Sequence, residues 1–355
     1  MLDVMVIGGG QAGLAMGYVL QQAGVRFQIL EASGRVGDAW RSRYASLVLF
    51  TPAKRNALPG LPFPGDPERY PTKDDVAEYL EAYAREFALP VRLNTRVTGV
   101  RRVGGAFEVR TAREVRRTRA VVVATGPFQV PFIPSLAQGL AAEVVQVHSS
   151  AYQHPAQLPP GRVVVVGSGN SGAQIAAELA RTHEVILALG RRQPQLPQRV
   201  LGRDIFDVLS VLGFFEVPTA SWLGRFLRRR DPVIGTDIRH LARSGRVQLM
   251  ARVTGAEGRT VRSMDGQLAE VDAVVWATGF RPDYRWLDVG VLDAQGRPRH
   301  VGGVGAVPGV YFLGLSWQRS RASALLGGVG RDAQALGTQV IHGLARGELL
   351  GLEQA

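Results

Sequence analysis

The sequence predicts an α/β chain made of two Rossmann-like dinucleotide-binding units, and three observations predict it. First, a buried strand, a glycine-rich turn and a helix follow one another twice: Val4–Ile7, Gly8–Gly13 and Gln11–Gly24, then Arg162–Val166, Gly167–Gly172 and Asn170–Arg181. Second, each helix is followed by another short apolar run, Phe27–Leu30 and Val185–Leu189. Third, each unit closes on a strand ending in Ala-Thr-Gly, at Ala124-Thr125-Gly126 and at Ala277-Thr278-Gly279. Strand, helix and strand in this order build a parallel sheet covered by helices.

Taken in order, Val4-Met5-Val6-Ile7 is continuously apolar rather than alternating, which marks a parallel strand buried on both faces. The turn Gly8-Gly9-Gly10-Gln11-Ala12-Gly13 follows at once. Gly8 permits the tight turn, Gly10 lets backbone meet a pyrophosphate, and Gly13 lets helix and strand pack closely. The helix then offers unsatisfied N–H groups to the phosphates. Glu31 ends the second strand roughly 20 residues on, where a carboxylate accepts from ribose hydroxyls. Pro52 to Pro71 is rich in Pro and Gly and reads as an irregular cover. Alternating segments around Val97 to Thr111, and again around Val247 to Val271, read as a small meander before each closing strand.

The second turn, Gly167-Ser168-Gly169-Asn170-Ser171-Gly172, repeats the pattern, but its second strand ends on Arg191 and Arg192. Paired guanidiniums suit a 2′-phosphate, which they grip bidentately, where an acid suits a 2′-hydroxyl. This contrast assigns FAD to the first turn and NADPH to the second. Solvated surface charge in an Arg-rich chain is the competing account of the pair. Gln193 to Arg230 is a second irregular region with apolar Ile205 to Val217 and basic Arg225 to Arg230. It reads as a helical excursion packing its apolar side on the body, with a peripheral membrane contact as the alternative.

Composition removes other chemistries. The chain has 355 residues, room for two ordinary domains, and no Cys, so a redox dithiol, a thiolate nucleophile, an iron–sulfur cluster and Cys-bound zinc are all excluded. No His or carboxylate pair has metal-ligand spacing. The formal charge is +12, yet all basic residues but Lys54 and Lys73 are Arg spread along the chain. No basic block with aromatic platforms accompanies them, so nucleic acid is not expected as a partner. Met1 to Asp3 run straight into a strand, and no apolar run approaches the ~20 residues of a membrane span. The expectation is a cytoplasmic protein.

Over nearly its full length the chain resembles the class B flavin-dependent monooxygenases, in particular small bacterial flavin-containing monooxygenase-like proteins. The residues that carry the resemblance are the first glycine turn, Gly37-Asp38-Ala39-Trp40, the two Ala-Thr-Gly ends and Thr278-Gly279-Phe280-Arg281-Pro282. Tyr311-Phe312-Leu313-Gly314 and Leu325-Leu326-Gly327-Gly328 extend it. The resemblance implies a glutathione-reductase-like architecture in which the NADPH domain, 159–279, is inserted into an FAD domain split between 1–158 and 280–355. It places Gly37, Trp40 and Arg41 beside FAD, with Val97 and Leu326, and Ser316 to Gln318 near the isoalloxazine. It implies hydride transfer from NADPH to FAD, then oxygen addition at C4a and oxygenation of a small N-, S- or ketone substrate by the (hydro)peroxyflavin. Small-molecule substrate and O2 would be its partners. Of the family fingerprint F-x-G-x-x-x-H-x-x-x-(aromatic), His148 and Tyr152 are in place, while Ala142 and Val144 replace Phe and Gly. The family's Asn would fall near Phe50, leaving Thr51 as the nearest polar group. Candidate catalytic residues are therefore Thr51, Gln318 and His148, the last of which reads better as a satisfied interdomain hydrogen-bonding residue. An NADPH oxidase or acceptor reductase, and a flavin redox sensor coupled to a partner, fit the same two folds.

Overall fold

The computed structural model describes residues 1–190, 194–211, 213, 217–219, 221–229 and 232–346. The chain begins β1 (Leu2–Ile7), α1 (Gln11–Gln22) and β2 (Phe27–Leu30), then a one-turn helix α2 (Asp38–Arg41). After the Pro- and Gly-rich stretch come α3 (Lys73–Glu86) and β3 (Val91–Arg92), then β4 (Val97–Val103), β5 (Ala106–Thr111) and β6 (Val115–Val123). A short β7 (Val130–Pro131) leads to β8 (Val145–His148), β9 (Arg162–Val166), α4 (Asn170–Leu179) and β10 (Glu184–Ala188). The excursion holds β11 (Gln195–Leu196), β12 (Arg199–Val200), β13 (Arg203–Asp204), α5 (Ile205–Val211), α6 (Trp222–Arg229) and β14 (Val233–Ile234). It is followed by α7 (Ile238–Arg243), β15 (Val247–Met250), β16 (Val253–Glu257), β17 (Thr260–Ser263), β18 (Leu268–Glu270) and β19 (Ala273–Trp276). The return comprises β20 (Phe280–Arg281), β21 (Leu287–Asp288), β22 (His300–Val301), β23 (Val304–Gly305), β24 (Val310–Phe312) and α8 (Leu326–Ala345).

Two parallel layers organise these elements, and they have the same order. In the first, β1 pairs in parallel with β2 and β6, β2 with β3, and β6 with β24, giving β3-β2-β1-β6-β24. The second runs β15-β10-β9-β19-β8, all parallel. The fifth strand is reached differently in each. The first layer takes β24 from the C-terminal return, whereas the second takes β8 from the segment before β9. Residues 145–148, which precede the expected boundary at 159, are thus already bonded into the second sheet. The two layers interlock along the sequence, and β7 and β20 pair antiparallel where the chain crosses between them.

Burial follows from composition. Val4, Met5 and Val6 of β1 are fully buried, as their unbroken apolar run requires, because helices cover one face and a meander the other. On the helix side Leu14, Leu20, Leu80, Tyr83, Val329 and Leu336 join α1, α3 and α8 into one core. On the other, Phe107 and Val109 of the β4–β6 meander meet Tyr284, Leu287 and Val310. The start of α3 is fixed by a capping box: Thr72 accepts from Asp75 N–H, and the Asp75 carboxylate accepts from Thr72 N–H at 2.8 Å.

Two sequence readings are corrected. The segment Val247 to Val271 is not one meander. Val247–Met250 is β15, a parallel strand beside β10, and the meander is β16-β17-β18. A run of four residues, Val-Gln-Leu-Met, is too short to declare which neighbour it will pair with. The irregular region 193–230 also contains short strands and two helices, although Gln193 and Arg230 lie outside the described residues. Ile205 and Phe206 of α5 bury against Ile234 and Ala322, with Phe50 stacked on Phe206 at 5.7 Å. Burying two such side chains contributes about 1.5–3 kcal/mol each, which anchors the excursion to the body. No described helix is long and apolar enough to cross a membrane.

Candidate functional site

The two glycine turns have nearly the same geometry. Gly8 and Gly167 have φ of +109° and +111°, a region that only glycine enters freely. A Cβ on Gly13 would lie 1.8 Å from Gly8 O, and one on Gly172 would lie 1.9 Å from Gly167 O. The third glycine therefore lets each helix start directly on its turn. The middle glycines differ in kind: a Cβ on Gly10 or Gly169 would meet nothing within 4 Å. These positions look out of the protein, where a ligand's backbone must approach. Gly10 and Gly169 are the N-caps of α1 and α4, and neither helix has a side-chain cap. Their first-turn N–H groups, including those of Gln11, Ala12, Asn170 and Ser171, are free to point at an anion.

Each turn is also pressed by its own Ala-Thr-Gly end. Gly8 lies against Ala124 O and Gly167 against Ala277 O, so these carbonyls set how closely the closing strand approaches the turn. Beyond them Gly126 and Gly279, with φ of +69° and +80°, turn the chain away from the sheet. Thr125 Oγ1 accepts from Gln129 Nε2 at 2.9 Å, and Thr278 Oγ1 donates to Phe132 O. Ser168 is buried, and Asn170 Oδ1 accepts from Ile234 N–H at 3.0 Å, tying the second turn to the excursion.

Around the first turn, Glu31 Oε2 accepts from Gly9 N–H at 2.6 Å and Oε1 from Ser33 N–H at 2.8 Å. Each oxygen keeps lone-pair capacity for a diol. Trp40 Nε1 donates to Gln11 Oε1 at 3.1 Å, so α2 is held against the first turn of α1. Gly37 precedes α2 with φ of +88°, backed onto Ala77 O. Arg41 is spent on protein: it bonds Val36 O at 2.6 Å, Asp38 at 3.2 Å and Glu81 at 3.0 Å, bracing α2 on α3. Val97 stands half-buried at the head of β4, and Leu326 is buried in the first turn of α8. A Cβ on Gly327 would lie 1.6 Å from Arg55 O, which packs the start of α8 directly on the segment 53–56.

The three catalytic candidates are all engaged. Gln318 is buried; its Nε2 donates to Phe312 O at 2.8 Å and to Gly302 O at 3.3 Å, and its Oε1 accepts from Leu315 N–H at 3.2 Å. Every donor and one acceptor position are used on backbone, so the side chain shapes the 312–318 loop and has no N–H left for a reacting group. Thr51 is buried and donates to Asn56 Oδ1 at 2.8 Å, while Asn56 Nδ2 donates to Thr51 O and Pro52 O, each at 3.0 Å. Asn56, only 1% exposed, is the polar centre of this segment, and sequence reasoning missed it. The signal was faint: one Asn just outside the position where a family Asn was sought.

His148 ends β8. Its Nδ1 accepts from Ser150 N–H at 3.1 Å, which leaves the proton on Nε2 to donate to Gly279 O at 2.9 Å. Burial pushes the imidazole below its ordinary value, so it is neutral at pH 7. It therefore braces the fifth strand against the Ala-Thr-Gly end. Beside it are two residues that the sequence did not single out. The Arg43 guanidinium lies 5.4 Å from the Phe280 ring centre and 6.0 Å from that of Phe128. Tyr44, buried and with its phenol pushed up to about 12 by burial, donates to Gln174 of α4 at 2.8 Å. Arg191 and Arg192, the pair expected at a 2′-phosphate, lie outside the described residues.

Comparisons with known proteins agree with this geometry. Residues 5–200 match the family described as pyridine nucleotide-disulphide oxidoreductase. A protein named "Uncharacterized oxidoreductase CzcO-like" from Geobacillus kaustophilus (strain HTA426) is 46% identical, covering 96% of this chain and 99% of its own. The indole-3-pyruvate monooxygenase YUCCA1 of Oryza sativa subsp. japonica is 30% identical over 81% of this chain and 79% of its own. Among solved structures, the flavin-containing monooxygenase from Stenotrophomonas maltophilia superposes with a TM-score of 0.81 at 32% identity, covering 96% of this chain and 98% of that one. The chain belongs to the pyridine nucleotide-disulphide oxidoreductase family and is a flavin-dependent oxidoreductase similar to the flavin-containing monooxygenases.

Proposed function

We propose that the chain is an NADPH-dependent flavoprotein monooxygenase acting on a small N-, S- or ketone substrate. The observation that carries the reading is the pair of glycine turns, each with an uncapped helix behind it and open space over its middle glycine. Two dinucleotides fit these two cradles. FAD takes the first, with Gly8, Gly10 and Gly13 under its pyrophosphate, Glu31 on its ribose, and Gly37, Trp40, Val97, Ala124, Thr125, Gly126 and Leu326 around it. NADPH takes the second, with Gly167, Gly169 and Gly172 under the pyrophosphate, Ala277, Thr278 and Gly279 alongside, and Arg191 and Arg192 on the 2′-phosphate. The FAD unit is assembled from both ends of the chain, a division supported by β24 pairing with β6.

FAD, when bound, would supply hydride acceptance and oxygen activation, while the residues around the two turns would supply binding, orientation and dryness. The absence of Cys supports this division of labour, because no protein dithiol can relay electrons as the family description would suggest. Asn56 ties the 51–56 segment to itself, and Gln318 fixes the loop after β24, so both segments are held by their own hydrogen bonds. Anaerobic mixing of the FAD-loaded protein with NADPH tests the proposal. It predicts rapid bleaching of the oxidised flavin band with NADPH and slower bleaching with NADH. A flavin left oxidised by both nucleotides would overturn the reading and leave the redox-sensor account. Replacement of the fingerprint Phe and Gly by Ala142 and Val144 favours the oxidase or acceptor-reductase account as the second reading.

A further inference from the structure

Arg43 differs from the exposed arginines that also lack an acidic partner in being half-buried between two rings. The ion pairs of the described residues join Arg26, Arg35, Arg41, Arg55, Arg69, Arg92 and others to carboxylates, but no described carboxylate lies within 4.0 Å of Arg43. Its one hydrogen bond is from Nε to Ala39 O at 3.2 Å, which leaves both terminal nitrogens without a protein partner among the described residues. The guanidinium is half-buried and flanked by the rings of Phe280 and Phe128. Burial pushes it below the usual arginine range, and the adjacent Tyr44 phenol, itself pushed up to about 12, is neutral at pH 7 and brings no charge. The neighbouring titratable His148 is neutral and adds no negative charge. A desolvated cation without an anion is costly, and such an arrangement persists where a ligand brings the missing charge.

The surroundings say which ligand. Phe280 directly follows Gly279 of the second Ala-Thr-Gly end, and Ala277 of that end touches the second glycine turn. His148 belongs to the second sheet, and it bonds Gly279 O. Tyr44, next to Arg43 in sequence, is bonded to Gln174, one turn into the helix that begins at the second turn. Phe128 alone leads from the first unit. We infer that Arg43 reaches across from the FAD unit to hold the pyrophosphate of the nicotinamide dinucleotide, opposite the N–H groups at the start of α4. The inference rests on the proposed use of the second turn for NADP(H). It adds a consequence: the nucleotide joins the two units through its phosphates, with α4 supplying neutral donors and Arg43 the charge.

Titration calorimetry on the FAD-loaded protein tests this with two probes, NADP⁺ and adenosine 2′-phosphate, the second lacking a pyrophosphate. For Arg43→Gln the expected result is a Kd for NADP⁺ weakened ~10- to 100-fold, the scale of a lost charge-assisted bond, with the Kd for adenosine 2′-phosphate unchanged. Arg43→Lys keeps the charge without the fork and falls between. The nucleotide-free melting temperature of Arg43→Gln should equal or exceed that of the wild type, because relief of a half-buried cation without a carboxylate offsets the one bond to Ala39 O and the two ring contacts. Unchanged NADP⁺ affinity overturns the inference. So does equal weakening of both probes with a lowered melting temperature, which would show a structural role. Failure of the wild type to bind NADP⁺ would remove the cofactor reading and this inference with it, whereas a failure seen only as indifference to Arg43→Gln removes the inference alone.

Discussion

Gly169→Ala separates the ligand's demand on the second turn from the protein's own. A Cβ there meets no protein atom within 4 Å, and the extended backbone at φ −70° and ψ −179° is one that alanine adopts readily. Ala is a poorer N-cap than Gly by about 0.5–1 kcal/mol, and restricting the unfolded chain returns about 0.4–1 kcal/mol. The nucleotide-free protein should therefore keep its melting temperature and its FAD. The new methyl group does stand where a pyrophosphate approaches the uncapped N–H groups of α4. Displacing the phosphates from two such donors forfeits about 1.5–3 kcal/mol for each charge-assisted bond, or roughly 10²- to 10⁴-fold in Kd. Fluorescence titration of the FAD-loaded variant with NADP⁺ reads this directly. An affinity within about threefold of wild type, beyond the reach of so small a loss, would refute the placement of the nucleotide on this turn.

Other consequences follow from the same geometry. Arg191→Ala with Arg192→Ala should raise KM for NADPH far more than for NADH, and equal effects in steady-state assays would remove the 2′-phosphate contact. Asn56→Ala should cost about 1–3 kcal/mol in urea denaturation through the lost buried bonds, and Asn56→Asp more, because it turns a carboxylate oxygen toward Thr51 O and Pro52 O. Equal losses in the two variants would contradict those donor roles. Because His148 binds a proton less readily in the folded state than unfolded, its stabilisation is full above about pH 6.5 and is lost as the pH falls below it. The melting temperature of wild type should thus fall more steeply than that of His148→Gln between about pH 7 and 5.5, and parallel slopes would dismiss the assignment.

The two turns were legible because their demands are local. Gly8, Gly13 and Glu31 sit within one βαβ unit, so spacing alone places them together. The fifth strands were not legible, since β8 finds β19 across more than a hundred residues and β24 returns to β6 from beyond the whole second unit. That pairing depends on the completed sheets. Gln318 was placed near the flavin by family likeness, yet its amide is consumed by backbone carbonyls that no sequence motif announces. Arg43 shows the limit most clearly. In a chain whose basic residues are nearly all arginine, one guanidinium without an acid looks like every other until the Phe280 and Phe128 rings are seen around it.

The most direct test of the central claim follows oxygen. The FAD-loaded protein is reduced with NADPH, mixed with oxygenated buffer in a stopped-flow cell, and followed across the flavin absorbance while peroxide is quantified. A monooxygenase gives a transient spectrum distinct from both reduced and oxidised flavin, long-lived while NADP⁺ is bound, with little peroxide released before substrate arrives. Direct return to the oxidised spectrum with one peroxide per flavin would contradict it.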